Sequence, residues 1–572
     1  MSSRLKVSVG QYADKGLKAS NQDFHGCYLP TEPLLSRKGV AFAMADGISS
    51  SELSHIASET AVKNFLDDYF CTSDAWSVQH SVERVVRACN AWLHSQTLNS
   101  PYRFDKDRGY VCTLSALVFK ATRAHIFNVG DTRIYRLHDK GLEQLTHDHR
   151  LWVTQTESHL SRALGVEAHI ELDYQIRPLS EGDIYLLATD GVYEYADTAF
   201  VLDSIAGSSD LDTAARSIVE HALEQGSGDN LSLQIVRVDA LPKPGSASLQ
   251  RDAEALELPP ILAAGARFDG YKILRELHAT SRSHVYLALD EAASSRVVLK
   301  TPSIDLGADP AYLERFLMEE WTARRINSAH VLKAAAQSRP RQYLYTAMEF
   351  IEGQTLKQWL VDNPRPELET VRGIIEQVAR GLQALHRMEI LHQDLRPDNI
   401  MIDNSGTVKI IDFGAARVAG IVESEPDAQQ DVILGTALYT APEYFMGELG
   451  TSCSDLYSLG VLTYHMLSGN FPYGTEVSKC RTAAAQRRLH YGSVLHDERE
   501  IPAWVDETLK KAVHINPYKR YQELSEFMAD LRQPNRQFIN RTRPPLLERN
   551  PVRFWQGVAA ILGGIIVVLL QR

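Results

Sequence analysis

Apolar runs that stop on an aspartate constrain this chain more than any other feature. In the first 240 residues, "VAFAMADG" (40–47) and "DIYLLATDG" (183–191) read as strands closing on Asp46-Gly47 and Asp190-Gly191, and Asp229-Asn230 opens the strand "NLSLQIVRV" (230–238). A strand delivers its terminal carboxylate to a fixed point, and a following glycine lets a backbone carbonyl approach a cation. Hard divalent ions such as Mg²⁺ and Mn²⁺ favour such oxygen sites and keep several waters. Two ions about 4 Å apart can hold a phosphate and activate a water. One Asp-Gly is more often a plain turn, so the weight lies in the set.

A different grammar governs the second half. In "ILHQDLRPDNIMI" (390–402), Asp394 stands five positions before Asn399, in a turn between two apolar stretches. Upstream, a strand-rich segment ends at "VVLK" (297–300), and "ETVRGIIEQVARGLQALHRM" (369–388) has helical periodicity. With 572 residues, the chain is too long for one core. The reading is phosphatase-type chemistry in residues 1–240, a linker over 241–267 rich in Pro, Ala and Ser, and a second domain over 268–532.

A basic, Pro-rich stretch (533–553) then leads to "FWQGVAAILGGIIVVLL" (554–570), which has no charge and one polar residue, Gln556. As a helix it is roughly 25 Å long, enough to cross a slightly thinned bilayer. Arg536, Arg541, Arg543, Arg549 and Arg553 precede it against Glu548 alone, which puts the catalytic domains on the cytoplasmic side. The expectation is a single-pass protein of the cell inner membrane. A net charge of −12 argues against a nucleic-acid partner, and six scattered cysteines without a CxxC pair read as reduced thiols. The start, "MSSRLKVSVGQYADKG", has no apolar core of signal-peptide length.

The first half resembles the metal-dependent type 2C protein phosphatases in ordered motifs: "GLKASNQDF" (16–24), "MADGIS" (44–49), "TLSALVF" (113–119), "NVGDTRIYRL" (128–137), "LTHDH" (145–149), "LSRALGV" (160–166), "LLATDGV" (186–192) and "GDNLSL" (228–233). The resemblance implies a four-layer α/β/β/α sandwich. It also implies that Asp46, Asp190, Asp229 and the Gly47 carbonyl hold paired Mg²⁺ or Mn²⁺, that Asp131 helps hold a third ion, and that Lys18 binds phosphate. Lys18 replaces an arginine of the family, Gln22 a glutamate, and Ile48 a histidine that some members use as a general acid. Only about ten residues separate "LTHDH" from "LSRALG", which implies a short flap.

Residues 268–532 resemble the bacterial serine/threonine protein kinases, implying a bilobal fold that binds Mg-ATP. By that resemblance Lys300 grips the nucleotide phosphates, with Glu319 as its ion-pair partner and Glu320 the alternative register. "TAMEFIEGQTL" (346–356), containing Glu349, is the hinge against adenine. Asp394 is the base, Arg396 lies near the transferred phosphate, and Asn399 and Asp412 of "IIDFG" bind metal. Asp455 and Arg520 brace the larger lobe, Arg520 against Glu443 of "APE". The chain departs from G-x-G-x-x-G-x-V, with His278, Thr280 and Ser283 at the glycine positions, and it has Gln393 before Asp394. The expected whole is a multidomain α+β, membrane-tethered kinase and phosphatase acting on protein and phosphoprotein substrates, itself among them. Its rival is a phosphatase with a non-catalytic, nucleotide-sensing second domain.

Overall fold

The computed structural model describes residues 4–138, 141–152, 158–208, 210–242, 256–280, 282–303, 309–336, 339–423, 437–495, 501–535, 538, 555, 556, 558, 561 and 562. It divides into two compact units, Met1–Ala255 with Val418–Ala428 and Leu256–Arg417 with Gln429–Arg572.

Two five-stranded antiparallel sheets build the first unit. One runs Lys6–Asp14, Leu231–Ala240, Ile184–Ala188, Arg133–His138, Gly141–Gln144; the other runs Asp173–Pro178, Arg123–Val129, Leu114–Lys120, Val40–Ala45, Phe24–Tyr28. The two-residue period of a strand sorts their side chains. In Val40–Ala45, Phe42 and Met44 join Phe119, Tyr185 and Val236 in a core drawn from both sheets. Ala41, Ala43 and Ala45 face the other way, toward Ala57, Phe65, Val82 and Leu93 of the helices Ser54–Cys71 and Val78–Leu98. Alanine on that face leaves room for the helices. Across the first sheet, Leu186, Leu233 and Ile235 pack on Ala215, Ile218 and Val219 of helix Leu211–Glu224. The layers are therefore α/β/β/α. Each large apolar side chain buried in them contributes about 1.5–3 kcal/mol before conformational entropy is subtracted.

The second unit opens with an antiparallel sheet in chain order, Arg267–Phe268, Tyr271–Ala279, Ser283–Asp290, Ser295–Pro302 and Thr346–Glu349, with helix Pro310–Arg325 following its fourth strand. Helices dominate thereafter. Leu368–His386 buries Val371, Ile374, Ile375, Val378, Leu382 and Leu385, one face of a 3.6-residue period. Ser452–Ser468 starts at a capping box between Thr451 and Ser454 and stops at Gly469, whose left-handed φ of 71° suits glycine.

The expected linker over 241–267 is too long. Glu257 bridges Tyr343 in parallel, and its N–H donates to the Gln342 carbonyl at 3.1 Å. Leu262 is buried with Phe268, Tyr286 and Tyr345, so residues 256–267 belong to the second unit. The apolar Leu262 needed that core to leave water. Most of the remaining linker, the juxtamembrane stretch and the expected transmembrane run 554–570 lie outside the described residues. Among the described residues no helix is long and apolar enough to cross a membrane.

Candidate active sites

In the first unit the strand Val40–Ala45 leads straight to Asp46, and Ile184–Ala188 leads through Thr189 to Asp190. Gly47 sits where a Cβ would come within 2.8 Å of the Gln22 carbonyl and of Ser54, so no side chain fits. Gln22 itself is a staple, its amide donating to the Ser51 carbonyl and the Ser54 hydroxyl, both at 2.7 Å.

The aspartates crowd one another. Burial, then the charges of Asp23, Asp190, Asp131 and Asp229, pushes the Asp46 carboxyl well above the usual range. Asp190 is pushed up to about 7 by burial and by Asp131 and Asp229, against the pull of Arg150. Asp23 was not singled out from the sequence. It is buried, accepts a hydrogen bond from the Thr189 hydroxyl at 2.9 Å, and its carboxyl is pushed up to about 6, chiefly by burial. Its other oxygen, Oδ1, is buried with no hydrogen-bond partner. Its signal in the sequence is its place in "NQDF", directly after Gln22.

Two cations face this cluster. Lys18 Nζ lies 3.2 Å from Asp229 and 3.0 Å from the Ser49 hydroxyl. The other is Arg150, which the sequence reading passed over. Its Nε donates to Asp131, its Nη2 to Asp190 at 3.0 Å, and its Nη1 to Glu194 at 2.9 Å. Among the described residues no three His, Cys, Asp or Glu side chains converge on one ion position. Mg²⁺ bound among such carboxylates would keep several waters in its shell, its usual habit. Five crowded aspartates facing two cations, with the buried Asp23 Oδ1 lacking a hydrogen-bond partner, fit the binding of such an ion.

The second unit holds a cavity of about 780 Å³, within the usual range for a bound small molecule, whose lining includes Lys300, Glu349, Asp394, Asn399 and Asp412. Lys300 Nζ lies 2.5 Å from Glu319 and 3.9 Å from Asp412. Burial disfavours the ammonium, but Glu319 and Asp412 hold it charged. Glu320 is turned to Arg324 and Arg341 instead, which settles the register in favour of Glu319. The Asn399 amide donates to Asp394 at its carbonyl (2.9 Å) and its carboxylate (3.0 Å). Arg396 pairs with Asp398 at 2.8 Å. Glu349 is held by Lys409 at 2.8 Å and accepts the Lys333 N–H at 2.9 Å.

Below the catalytic turn, buried Asp455 accepts the N–H groups of His392 (2.8 Å) and Gln393 (2.9 Å). These bonds fix Gln393 at a left-handed φ of 65°. Arg520 meets Glu443 with both arms, at 2.8 and 2.7 Å, fully inside the unit. Where glycines were expected over the cavity, the Thr280 hydroxyl accepts the N–H groups of Arg282 (3.2 Å) and Ser283 (3.0 Å).

Two family models match the chain: Protein phosphatase 2C over residues 17–232 and Protein kinase domain over 271–530. The chain joins a protein phosphatase 2C domain to a protein kinase domain. Over 269 residues it is 29% identical to the serine/threonine-protein kinase PrkC of Bacillus subtilis, covering 47% of this chain and 41% of PrkC. It is 30% identical to PknL of Mycobacterium tuberculosis over 262 residues, 46% of this chain and 64% of PknL. It therefore spans less than two thirds of these relatives. Among solved structures, the PknI kinase domain of Mycobacterium tuberculosis aligns at 25% identity and TM-score 0.37, covering 48% of this chain and 98% of that one. PppA of Pseudomonas aeruginosa aligns at 22% identity and TM-score 0.35, covering 41% and 99%. A phosphatase 2C domain and a kinase domain together imply use of divalent metal and of nucleotide.

Proposed function

We propose that the chain is a bifunctional signalling enzyme. Its kinase domain phosphorylates serine or threonine of proteins with Mg-ATP, and its phosphatase domain hydrolyses phosphoserine and phosphothreonine with Mg²⁺ or Mn²⁺. The observation that carries this reading is the closed Lys300–Glu319 pair, with Asp412 beside it and Asn399 on Asp394, around one cavity. A domain kept only as a scaffold has no need of that costly buried charge arrangement. In this reading Asp394 takes the proton of the attacking hydroxyl, Lys300 steadies the phosphates, and Asn399 and Asp412 hold the nucleotide's metal. Arg396 stabilises the phosphate in transfer, and Glu349 contributes at the adenine edge.

In the phosphatase domain Asp46, the Gly47 carbonyl, Asp190 and Asp229 hold the ions, and Lys18 draws the phosphate in. Bound there, divalent ions supply charge neutralisation and an activated water. Lys18 is a point charge and not a planar fork, so it holds phosphate without fixing its orientation.

The bond that Thr280 makes to two backbone amides has a cost for the kinase. Those N–H groups are committed inside the loop, and nucleotide phosphates lose them as donors. We read the kinase as active with weakened ATP affinity, and not as the nucleotide sensor that the glycine-free loop suggested.

The uncharged run 554–570 after five arginines supports a membrane anchor with both domains in the cytoplasm, at a cell inner membrane. Tethering two activities in one chain raises their effective concentration for each other and for a shared phosphoprotein. The test is the full chain carrying Asp190→Ala, incubated with labelled MgATP and a basic protein substrate. Label on the substrate supports the kinase, and no label at millimolar ATP sinks it. Retention in membranes through a carbonate wash, lost when residues 551–572 are removed, tests the anchor.

A further inference from the structure

Arg150 holds a position that the phosphatase reading leaves unexplained. It begins the short strand Arg150–Trp152, paired with Ser158–Leu160, and the residue before it is firmly seated. His149 is buried; its Nδ1 accepts the Gly130 N–H at 3.1 Å, and its Nε2 lies 3.1 Å from Asp173. From that base the Arg150 side chain, only 13% exposed, reaches three carboxylates on two elements: Asp131, Asp190 at 3.0 Å and Glu194 at 2.9 Å. The Tyr193 hydroxyl completes the ring, lying 3.3 Å from Arg150 Nη2 and donating to the Asp131 carbonyl at 3.1 Å.

We propose that Arg150 is a built-in cation standing where Asp131 and Asp190 would otherwise share a third metal ion, so that this phosphatase works with two. A guanidinium is permanently charged, planar and weakly hydrated, which suits it to bridging carboxylates in a partly buried place. A divalent ion between Asp131 and Asp190 must displace it from both and leave it Glu194, 45% exposed, as its carboxylate partner, at the cost of breaking a buried ion pair. A phosphate-binding role fits less well. Three of its five N–H groups go to carboxylates and a second Nη2 N–H to the Tyr193 hydroxyl, leaving no parallel pair of donors for a phosphate.

The inference rests on the metal-dependent reading of the phosphatase domain, and the experiment separates the two. Full-length chain in an Asp412→Ala background, free of nucleotide, is titrated with Mn²⁺, and bound ion is counted from the loss of the free-ion electron paramagnetic resonance signal. Arg150→Met is expected to bind one more Mn²⁺ than the parent, Arg150→Lys to stay with the parent, and Arg150→Met with Asp131→Asn to lose the extra ion. Equal counts in the parent and Arg150→Met, or an extra ion that survives Asp131→Asn, overturn the role of Arg150 and leave the metal reading standing. A parent that binds no Mn²⁺ overturns both. If Arg150→Met does not fold, the parent isotherm decides alone: a third ion bound as tightly as the first two refutes the proposal.

Discussion

In the phosphatase domain Asp23, Asp46, Asp131, Asp190 and Asp229 face Lys18 and Arg150, and burial with mutual repulsion pushes Asp23, Asp46 and Asp190 toward their protonated forms. In the kinase domain burial still pushes Glu319 up to about 7 against the pull of Lys300, but at Asp412 and Asp398 the balance is reversed. Burial raises the Asp412 carboxyl, but Lys300 and the Gly414 N–H outweigh it, and Asp398 is likewise held down by Lys357 and Arg396. The first site has surplus negative charge and waits for cations from solution. The second carries its cations in the fold and needs metal only as it takes up nucleotide. The difference teaches what each site is built around: the first gathers carboxylates that ions must neutralise, and the second positions its charged side chains before metal arrives with nucleotide.

The strongest way to break this comparison is to remove a carboxylate from the site with the surplus. Asp190→Ala or Asp229→Ala should lower phosphopeptide hydrolysis on the order of a thousandfold, as for loss of a principal electrostatic contact, and excess chelator should do the same to the wild type. Turnover that persists in chelator would falsify the account of the first site. Next comes the kinase, assayed with Asp190→Ala present so that hydrolysis does not erase the signal. Asp394→Ala should cost about a hundredfold or more in labelling, the scale of a missing general base with its neighbours intact.

A smaller effect sharpens the picture of the nucleotide loop. Thr280→Gly releases the two backbone N–H groups that its hydroxyl now holds. Each recovered bond is worth about 1 kcal/mol, so KM for ATP should fall about fivefold for one bond and roughly thirtyfold for both, with kcat little changed. An unchanged KM would show that those amides do not reach the phosphates.

The smallest effect concerns stability away from either site. His125 is fully buried in the phosphatase domain; its Nδ1 lies 3.0 Å from the Tyr174 hydroxyl, and its Nε2 has no hydrogen-bond partner. Burial, with Lys120 and Arg123 nearby, pushes its pKa down to about 3 from an ordinary 6.5. The unfolded chain therefore binds a proton below pH 6.5 that the folded chain refuses until about pH 3. Across that window His125 costs the fold up to about 1.4 kcal/mol for each pH unit of acidification. Denaturant melts of His125→Gln beside the wild type should show the variant losing less stability as pH falls from 6.5 to 5. Parallel curves would remove His125 as the cause.

Much of this molecule was legible in its residues. Apolar runs ending on Asp46 and Asp190 put those carboxylates at strand ends, because a strand delivers its last residue to one fixed point. Ordered motifs picked out Lys300, Glu319, Asp394, Asn399 and Asp412 because their spacing along the chain is set by the strands and turns that carry them. The motifs also named the pairs Lys300–Glu319 and Arg520–Glu443, but tertiary structure alone decided what meets Asp190 and Asp23. Arg150 lies 40 residues before Asp190, and Asp23 lies 166 residues before Thr189, distances over which sequence carries no signal of contact. It also decided that Leu262 is core and not linker, since an isolated apolar residue in a Pro- and Ala-rich stretch looks the same until a sheet arrives to cover it. Local pattern fixes where a side chain points along its own element. Which opposite charge or apolar face it meets depends on the closing of the whole sheet, and that is why Asp190 could be read in advance and its partner Arg150 could not.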